Sequence, residues 1–264
     1  MAVAATDTAE PILRLRGVGR RFGGLDAVSD VDLDVAHGER RAILGPNGAG
    51  KTTLFNVISG DIPATSGTIT FLGDDVGALP AAGRTQLGMG RTYQKSRLFL
   101  GMSVEDNLYL AVLGTRRGHL RMRRKAVDTE MRDRARELAT AVGLESKLAV
   151  LVGSISHGEQ RQLEVGMARA VDPKLMLLDE PASGLSRGER VALTDLLLEL
   201  DRGITLILIE HDMDVALRVA ESMTMMHDGR KIVEGTPDEI RANALVHELY
   251  LGGRLGKGEI EPTS

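Results

Sequence analysis

The chain has 264 residues, 42% hydrophobic and 27% charged, with a net charge of −4 and no cysteine. That is enough apolar material for one domain, with or without a subdomain. It excludes a largely disordered chain, disulfides and thiolate metal sites, and the acidic balance gives no basic field for nucleic acid.

Residues 1–10 lack the basic start and apolar stretch of a secretion signal, and the longest apolar runs, such as ITLILI at 204–209, are too short to cross a bilayer. Both features predict a soluble chain. The first ordered stretch alternates, with Ile12, Arg14 and Arg16 on one face and Leu13 and Leu15 on the other. The same period returns in Val31, Leu33 and Val35 through Asp30, Asp32 and Asp34. Charged alternates at period two predict half-exposed antiparallel strands, and TITFL at 68–72 adds another.

Between these strands, Ala42, Ile43 and Leu44 run into GPNGAGKTT at 45–53, followed by LFNVI. Gly45, four intervening residues and Gly50-Lys51-Thr52 fit the P-loop, in which backbone N–H groups wrap around nucleotide phosphates. The preceding strand and following helix are what such a loop needs, because the helix N-terminus adds its dipole and free N–H groups to the anion site. Asn47, Gly48, Ala49, Gly50, Lys51, Thr52 and Thr53 are therefore candidate nucleotide contacts. Lys51 is placed between the β- and γ-phosphates, and Thr53 on the α-phosphate side.

After residue 100 the spacing turns helical, at Val104, Leu108, Ala111 and Val112 and again at Leu138, Ala141, Val142 and Leu144. This stretch is predicted to be a helical insertion. It carries the basic run Arg116, Arg117, Arg121, Arg123, Arg124 and Lys125, which is either a solvated face or a contact for anionic headgroups or a partner. In 154–170, Ser156-x-x-Glu159 forms a capping box ahead of Leu163, Met167 and Ala170.

From 175 onward, apolar strands at 175–178 and 204–209 alternate with helices over 191–200 and from 213, which predicts a buried parallel sheet. Asp228-Gly229 between 223–226 and 231–233 reads as a hairpin turn. Thr236, Pro237 and Glu239 open a last capped helix. KLMLLDEP at 174–181 delivers Asp179 and Glu180 to the carboxyl edge of that sheet, where α/β ligands bind. Asp179 would support Mg²⁺ alongside Thr52, and Glu180 would take the proton of an attacking water.

Ser156-His157-Gly158-Glu159-Gln160, shortly before the acidic strand, resembles the signature sequence of ATP-binding cassette proteins, and the resemblance extends over residues 11–253. It implies an α/β P-loop NTPase (RecA-like) core with an antiparallel β subdomain and an inserted α-helical subdomain. The division is core at 11–95, helical subdomain at 96–172, core again at 173–253, and a tail at 254–264. It further implies a head-to-tail dimer clamping two ATP molecules, with Ser156, Gly158 and Glu159 of one copy at the partner's nucleotide.

By the same resemblance, Gln94 is the Q-loop glutamine that senses Mg²⁺ and the attacking water, and His211 is the switch histidine contacting γ-phosphate. Phe22 stacks on adenine, where core packing is the alternative, and Val28 is counted with it among the nucleotide contacts. Two departures are visible. His157 and Glu159 stand where many relatives have glycine and glutamine, and Glu159 is expected to cap its helix rather than face phosphate. Ser183-Gly184-Leu185-Ser186 departs from Ser-Ala-Leu-Asp in the dimer-contacting loop.

The stretches at 22–35, 90–108, 155–170, 208–217 and 246–253 are similar to the ATP-binding subunit of bacterial branched-chain amino acid importers and their urea or short-chain amide relatives. That likeness implies an ATPase peripheral to the cytoplasmic face of the membrane, paired with itself or a sister subunit. Its further partners would be two transmembrane permeases and, indirectly, a solute-binding protein, without nucleic acid. The rivals are a cassette acting as a mechanical switch on ribosomes or DNA, a P-loop GTPase or kinase, and a regulatory module without turnover. Length, the lack of an Asn-Lys-x-Asp motif and the presence of Glu180 count against each in turn.

Overall fold

The computed structural model describes residues 10–94, 96–115 and 125–246. The basic run at 116–125 lies outside the described residues except for the backbone of Lys125. The chain opens with β1 (Leu13–Phe22), β2 (Leu25–Val35) and β3 (Arg40–Leu44), and then passes through the P-loop into α1 (Lys51–Ser59). After β4 (Ser66–Phe71), β5 (Asp74–Asp75), α2 (Ala81–Gln86) and the short β6 (Met89–Arg91) come the helices α3 (Val104–Thr115), α4 (Lys125–Ala141) and α5 (His157–Ala168). The remainder is β7 (Leu175–Asp179), α6 (Arg187–Glu199), β8 (Thr205–Ile209), α7 (Met213–Val219), β9 (Ser222–His227), β10 (Arg230–Gly235) and α8 (Pro237–Ala242), ahead of a short turn of helix at Ala244–Val246.

These strands build two sheets. The first is antiparallel, in the order β2-β1-β4-β5, with Leu13 and Leu15 opposite Val35 and Leu33 on one side and Phe71 and Ile69 on the other. Its period-two pattern is the one expected of a sheet with one wet face. The second has the order β10-β9-β3-β8-β7-β6 and is parallel except for the β9–β10 hairpin. In that hairpin Asp228 and Gly229 both have positive φ, the backbone a two-residue turn requires.

The parallel strands are buried on both faces because the core lies on both sides of them. Ala42, Leu44, Met176, Leu178, Leu206 and Leu208 pack with α3 to α7. Ile43, Leu175, Leu177, Ile207 and Ile209 pack with α1 and the antiparallel sheet. Continuous apolar runs, rather than alternation, are what such a layer needs.

Three details differ from expectation. Ala141 is exposed, since the buried stripe of α4 is Met131, Ala135, Leu138 and Ala139, with Val142 just beyond its end. The helix expected over 191–200 starts at Arg187, because Ser186 caps it in a reciprocal box with Glu189. Val28, expected to contact nucleotide, is 1% exposed within the core beneath the P-loop. Register shifts in the β1–β2 pairing around Arg20 turn Val28 inward and leave Ala27 facing out.

Candidate functional site

The P-loop is a wedge held by backbone on two sides. Gly229 N–H donates to Ala49 O at 3.1 Å, and Ser29 N–H donates to Gly229 O at 2.8 Å, so β2 and the β9–β10 turn grip the loop between them. Gly50, the residue before α1, lies against the same two segments. A Cβ there would stand 2.3 Å from Ala27 O and 3.2 Å from Gly229 Cα. The loop opens on a cleft of about 630 Å³ lined by Phe22, Ala27, Asn47, Gly48, Ala49, Gly50, Lys51, Thr52, Thr53, Gln94, Glu180, Asp228 and Gly229, together with Leu25 and Asp26.

Lys51 is buried, and its Nζ donates to Gly45 O at 2.6 Å and Pro46 O at 3.0 Å. Burial lowers its pKa, while the charges of Glu180 and Asp179 oppose that shift. The loop thus presents an ammonium beside the free N–H groups at the start of α1, a concentrated anion site. Phe22 is 44% exposed, which removes core packing as its role, and the Arg20 guanidinium lies 4.5 Å from its ring centroid.

At the carboxyl edge, Asp179 is 1% exposed, and both its carboxylate oxygens are buried without a hydrogen-bond donor; Arg91 Nη2 lies 3.5 Å away. Burial raises its pKa, and the Arg91 charge opposes this. Such unfilled acceptors fit a cation. Among the described residues no group of three or more His, Cys, Asp or Glu side chains is placed to hold a metal ion. Asp179 itself does not line the cleft but adjoins Glu180, which does, and its unpartnered carboxylate is an oxygen donor of the kind a hard divalent cation takes.

Glu180 has the left-handed φ of 49°, and its N–H donates to Ile209 O at 3.0 Å. Its Oε2 lies 3.8 Å from His211 Nδ1, across the neighbouring strand ends of β7 and β8. His211 itself is exposed.

Ser156, Gly158 and Glu159 do not line this cleft. Ser156 caps α5: Glu159 N–H donates to its Oγ at 3.2 Å, and its own N–H donates to Glu159 Oε2 at 2.8 Å. Glu159 therefore faces its helix cap, as expected, and also pairs with Lys147. Gly158 N–H donates to Glu189 Oε1 at 2.9 Å, so the capping carboxylate of α6 also touches the start of α5. Four donated bonds and caps hold Glu189 down at about 2 despite its exposure, its own Ser186 hydroxyl first among them.

Sequence reasoning passed over three contributors. Arg91 donates to Ser59 Oγ, to Asp61 Oδ2 at 2.6 Å and to Asn56 Oδ1 at 2.7 Å, and lies over the Tyr93 ring at 4.8 Å, joining α1 to Asp179 and to the segment bearing Gln94. An arginine in a short buried strand was the available signal. Ala27 and the Asp228-Gly229 turn complete the cleft wall, and only three-dimensional pairing brings them there.

Comparison with known proteins gives concordant results. A family model described as "ABC transporter" matches residues 28–183, and one described as "Branched-chain amino acid ATP-binding cassette transporter" matches residues 230–255. The high-affinity branched-chain amino acid transport ATP-binding protein LivG of Salmonella typhimurium is 36% identical over 251 residues, covering 92% of this chain and 98% of LivG. BraF of Pseudomonas aeruginosa, a protein with the same description, is 34% identical over 255 residues, with 92% and 98% covered.

Among solved structures, an ATP-binding cassette of an ABC transporter in its ADP conformation superposes with a TM-score of 0.81 at 28% identity, covering 92% of this chain and all of that one. A nucleotide-free cassette gives 0.80 at 28% identity, with 90% and 98% covered.

Proposed function

The chain belongs to the ABC transporter family of ATP-binding cassettes, and from that membership we propose that it is the ATP-hydrolysing subunit of an importer for branched-chain amino acids. The observation that carries the site assignment is the meeting of Lys51, Gln94 and Glu180 on one cleft, with His211 3.8 Å from Glu180. Phe22 stacks on the adenine, and the N–H groups and Lys51 of the P-loop hold the phosphates. Water attacks the γ-phosphorus, the bond to the β-phosphate oxygen breaks, and the water proton passes to Glu180. His211 holds the γ-phosphate as charge shifts toward ADP.

Thr52, Asp179 and Gln94 would hold Mg²⁺. When bound, that ion neutralises charge on the β- and γ-phosphates.

Ser156 and Gly158 start a helix away from this cleft, which suits service to the ATP of a second copy or a sister cassette. Residues 96–172 form the helical part of each cassette and the flanking stretches its core. The permease pair meets the cleft between Gln94 and the helical insertion, near residues 95–102, of which Lys95 lies outside the described residues, on the cytoplasmic face of the membrane. Among the described residues no helix is long and apolar enough to cross a membrane, which suits a peripheral subunit. The branched-chain cargo is supported by the matched segment at 230–255 and by the names of LivG and BraF.

ATP hydrolysis by the wild type and by Glu180→Gln tests the base. Turnover should fall about 10²- to 10⁴-fold with nucleotide binding retained, and equal activity refutes the assignment. Ser156→Arg tests the shared site. It should abolish both turnover and ATP-induced pairing in sedimentation, and unchanged pairing would sink the dimer reading. Deletion of the gene should remove leucine uptake while sparing uptake of ribose.

A further inference from the structure

Glu210, the residue before His211, is 0% exposed and takes no part in the chemistry above. Its three hydrogen bonds all come from backbone. Ala182 N–H donates to Oε1 at 2.9 Å, while His211 N–H and Asp212 N–H share Oε2 at 3.3 and 3.4 Å. The two oxygens thus hold two different loops. Ala182 lies in the tight turn after Glu180, where Ser183 N–H donates to Glu180 O at 3.1 Å. His211 and Asp212 lead into α7, and Asp212 caps that helix through the N–H groups of Asp214 and Val215 while accepting from Arg190 of α6 at 2.5 Å.

Strands β7 and β8 are in register up to Asp179 opposite Ile209, and Glu180 N–H adds one further rung to Ile209 O. Beyond that rung the chains part, and Glu210 spans the gap.

Resting on the roles proposed above for Glu180 and His211, we propose that Glu210 is a positioning residue that sets the separation of those two side chains by holding both loops on one carboxylate. A carboxylate suits the task because it only accepts, and each oxygen faces an N–H group. An amide of the same size retains one acceptor and points its NH₂ at the N–H of the other loop, so one tether is lost without a change of volume.

The experiment is a double-mutant cycle of Glu210→Gln and His211→Ala on the full chain, read by single-turnover ATP cleavage and by the affinity of a fluorescent ATP analogue. Glu210→Gln should lower the cleavage rate about tenfold while the analogue's Kd stays within about twofold. In the His211→Ala background the same change should cost less than about twofold, since the histidine it aligns is gone.

A full tenfold loss in that background, or a loss of affinity matching the loss of rate, overturns the proposal. Wild-type cleavage by Glu210→Gln, with Glu180→Gln inactive, overturns the positioning role alone. Full cleavage by Glu180→Gln overturns the assignment of the base and this role with it. Hydrogen exchange on the unaltered chain provides a reading that needs no variant. The amides of Ala182 and Asp212 should open together, with protection within about threefold of each other, and a difference above about tenfold overturns the shared tether.

Discussion

Gly50 and Gly48 provide a matched pair for testing how the P-loop is held. Both have left-handed backbone, φ +92° and +84°, so alanine at either carries the same class of backbone cost, about 1–2 kcal/mol. They differ in what a Cβ meets. At Gly48 nothing lies within 4 Å, whereas at Gly50 the Cβ would stand 2.3 Å from Ala27 O. That oxygen belongs to β2, which is fixed by its pairing with β1 and by the Ser29 to Gly229 bond, so it has no rotamer by which to move away. Overpacking against fixed backbone adds about 1–3 kcal/mol, giving about 2–5 kcal/mol for Gly50→Ala against about 1–2 kcal/mol for Gly48→Ala.

Urea unfolding of the two variants beside the wild type measures the difference. With a slope of about 3 kcal/mol per molar, the Gly50→Ala midpoint should lie roughly 0.3–1 M below that of Gly48→Ala. Its nucleotide affinity should fall further as well, because relief of the clash displaces the N–H groups proposed to hold phosphate. Equal midpoints would refute the wedge.

Arg84 is 1% exposed, and its Nη1 donates to Val57 O at 2.7 Å and Ile58 O at 2.6 Å, at the C-terminus of α1. Arg84→Met should cost about 2–4 kcal/mol in urea unfolding by stranding those carbonyls, and a loss under about 1 kcal/mol would contradict the capping role. Phe22→Ala should weaken ATP binding by about 1–3 kcal/mol with little effect on the unfolding midpoint, measured by titration calorimetry. Glu189 is held down at about 2 from an ordinary value of 4.5, so its contribution is fully present above about pH 5.5 and drains away as the pH falls through 4.5 toward 2. The gap in urea midpoint between the wild type and Glu189→Gln should therefore be flat above pH 5.5 and narrow from pH 5 to pH 3.

What could be read from the chain were features carried by local spacing: alternation in β1 and β2, the P-loop glycines, the capping boxes at Ser156 and Thr236, and the apolar runs of β7 and β8. Ser186-x-x-Glu189 is the same kind of box and was equally legible. The serine that departs from the Ser-Ala-Leu-Asp pattern is the one that caps α6.

Features set by pairing were not legible. Whether Ala27 or Val28 faces the cleft depends on register shifts against β1, and no one-dimensional pattern encodes these. Glu210 reads as an ordinary acidic residue at a strand end until β7 and β8 are laid side by side. Arg91 is buried by residues from α1 and β7 that lie far from it in the sequence.

Strand β3, which carries the P-loop, has β8 and β9 as its two neighbours. Both follow it by some 160 residues or more in the chain, as does the turn at Gly229 that bonds the loop through Ala49. A nascent chain therefore leaves the ribosome with its phosphate-binding loop already made but its central strand bare on both edges. Nucleotide affinity should therefore appear only once the strands up to Gly229 have been made. Products that stop short of Gly229 should be inert toward ATP and prone to edge-to-edge association, so that β9 and the turn after it gate the maturation of the loop.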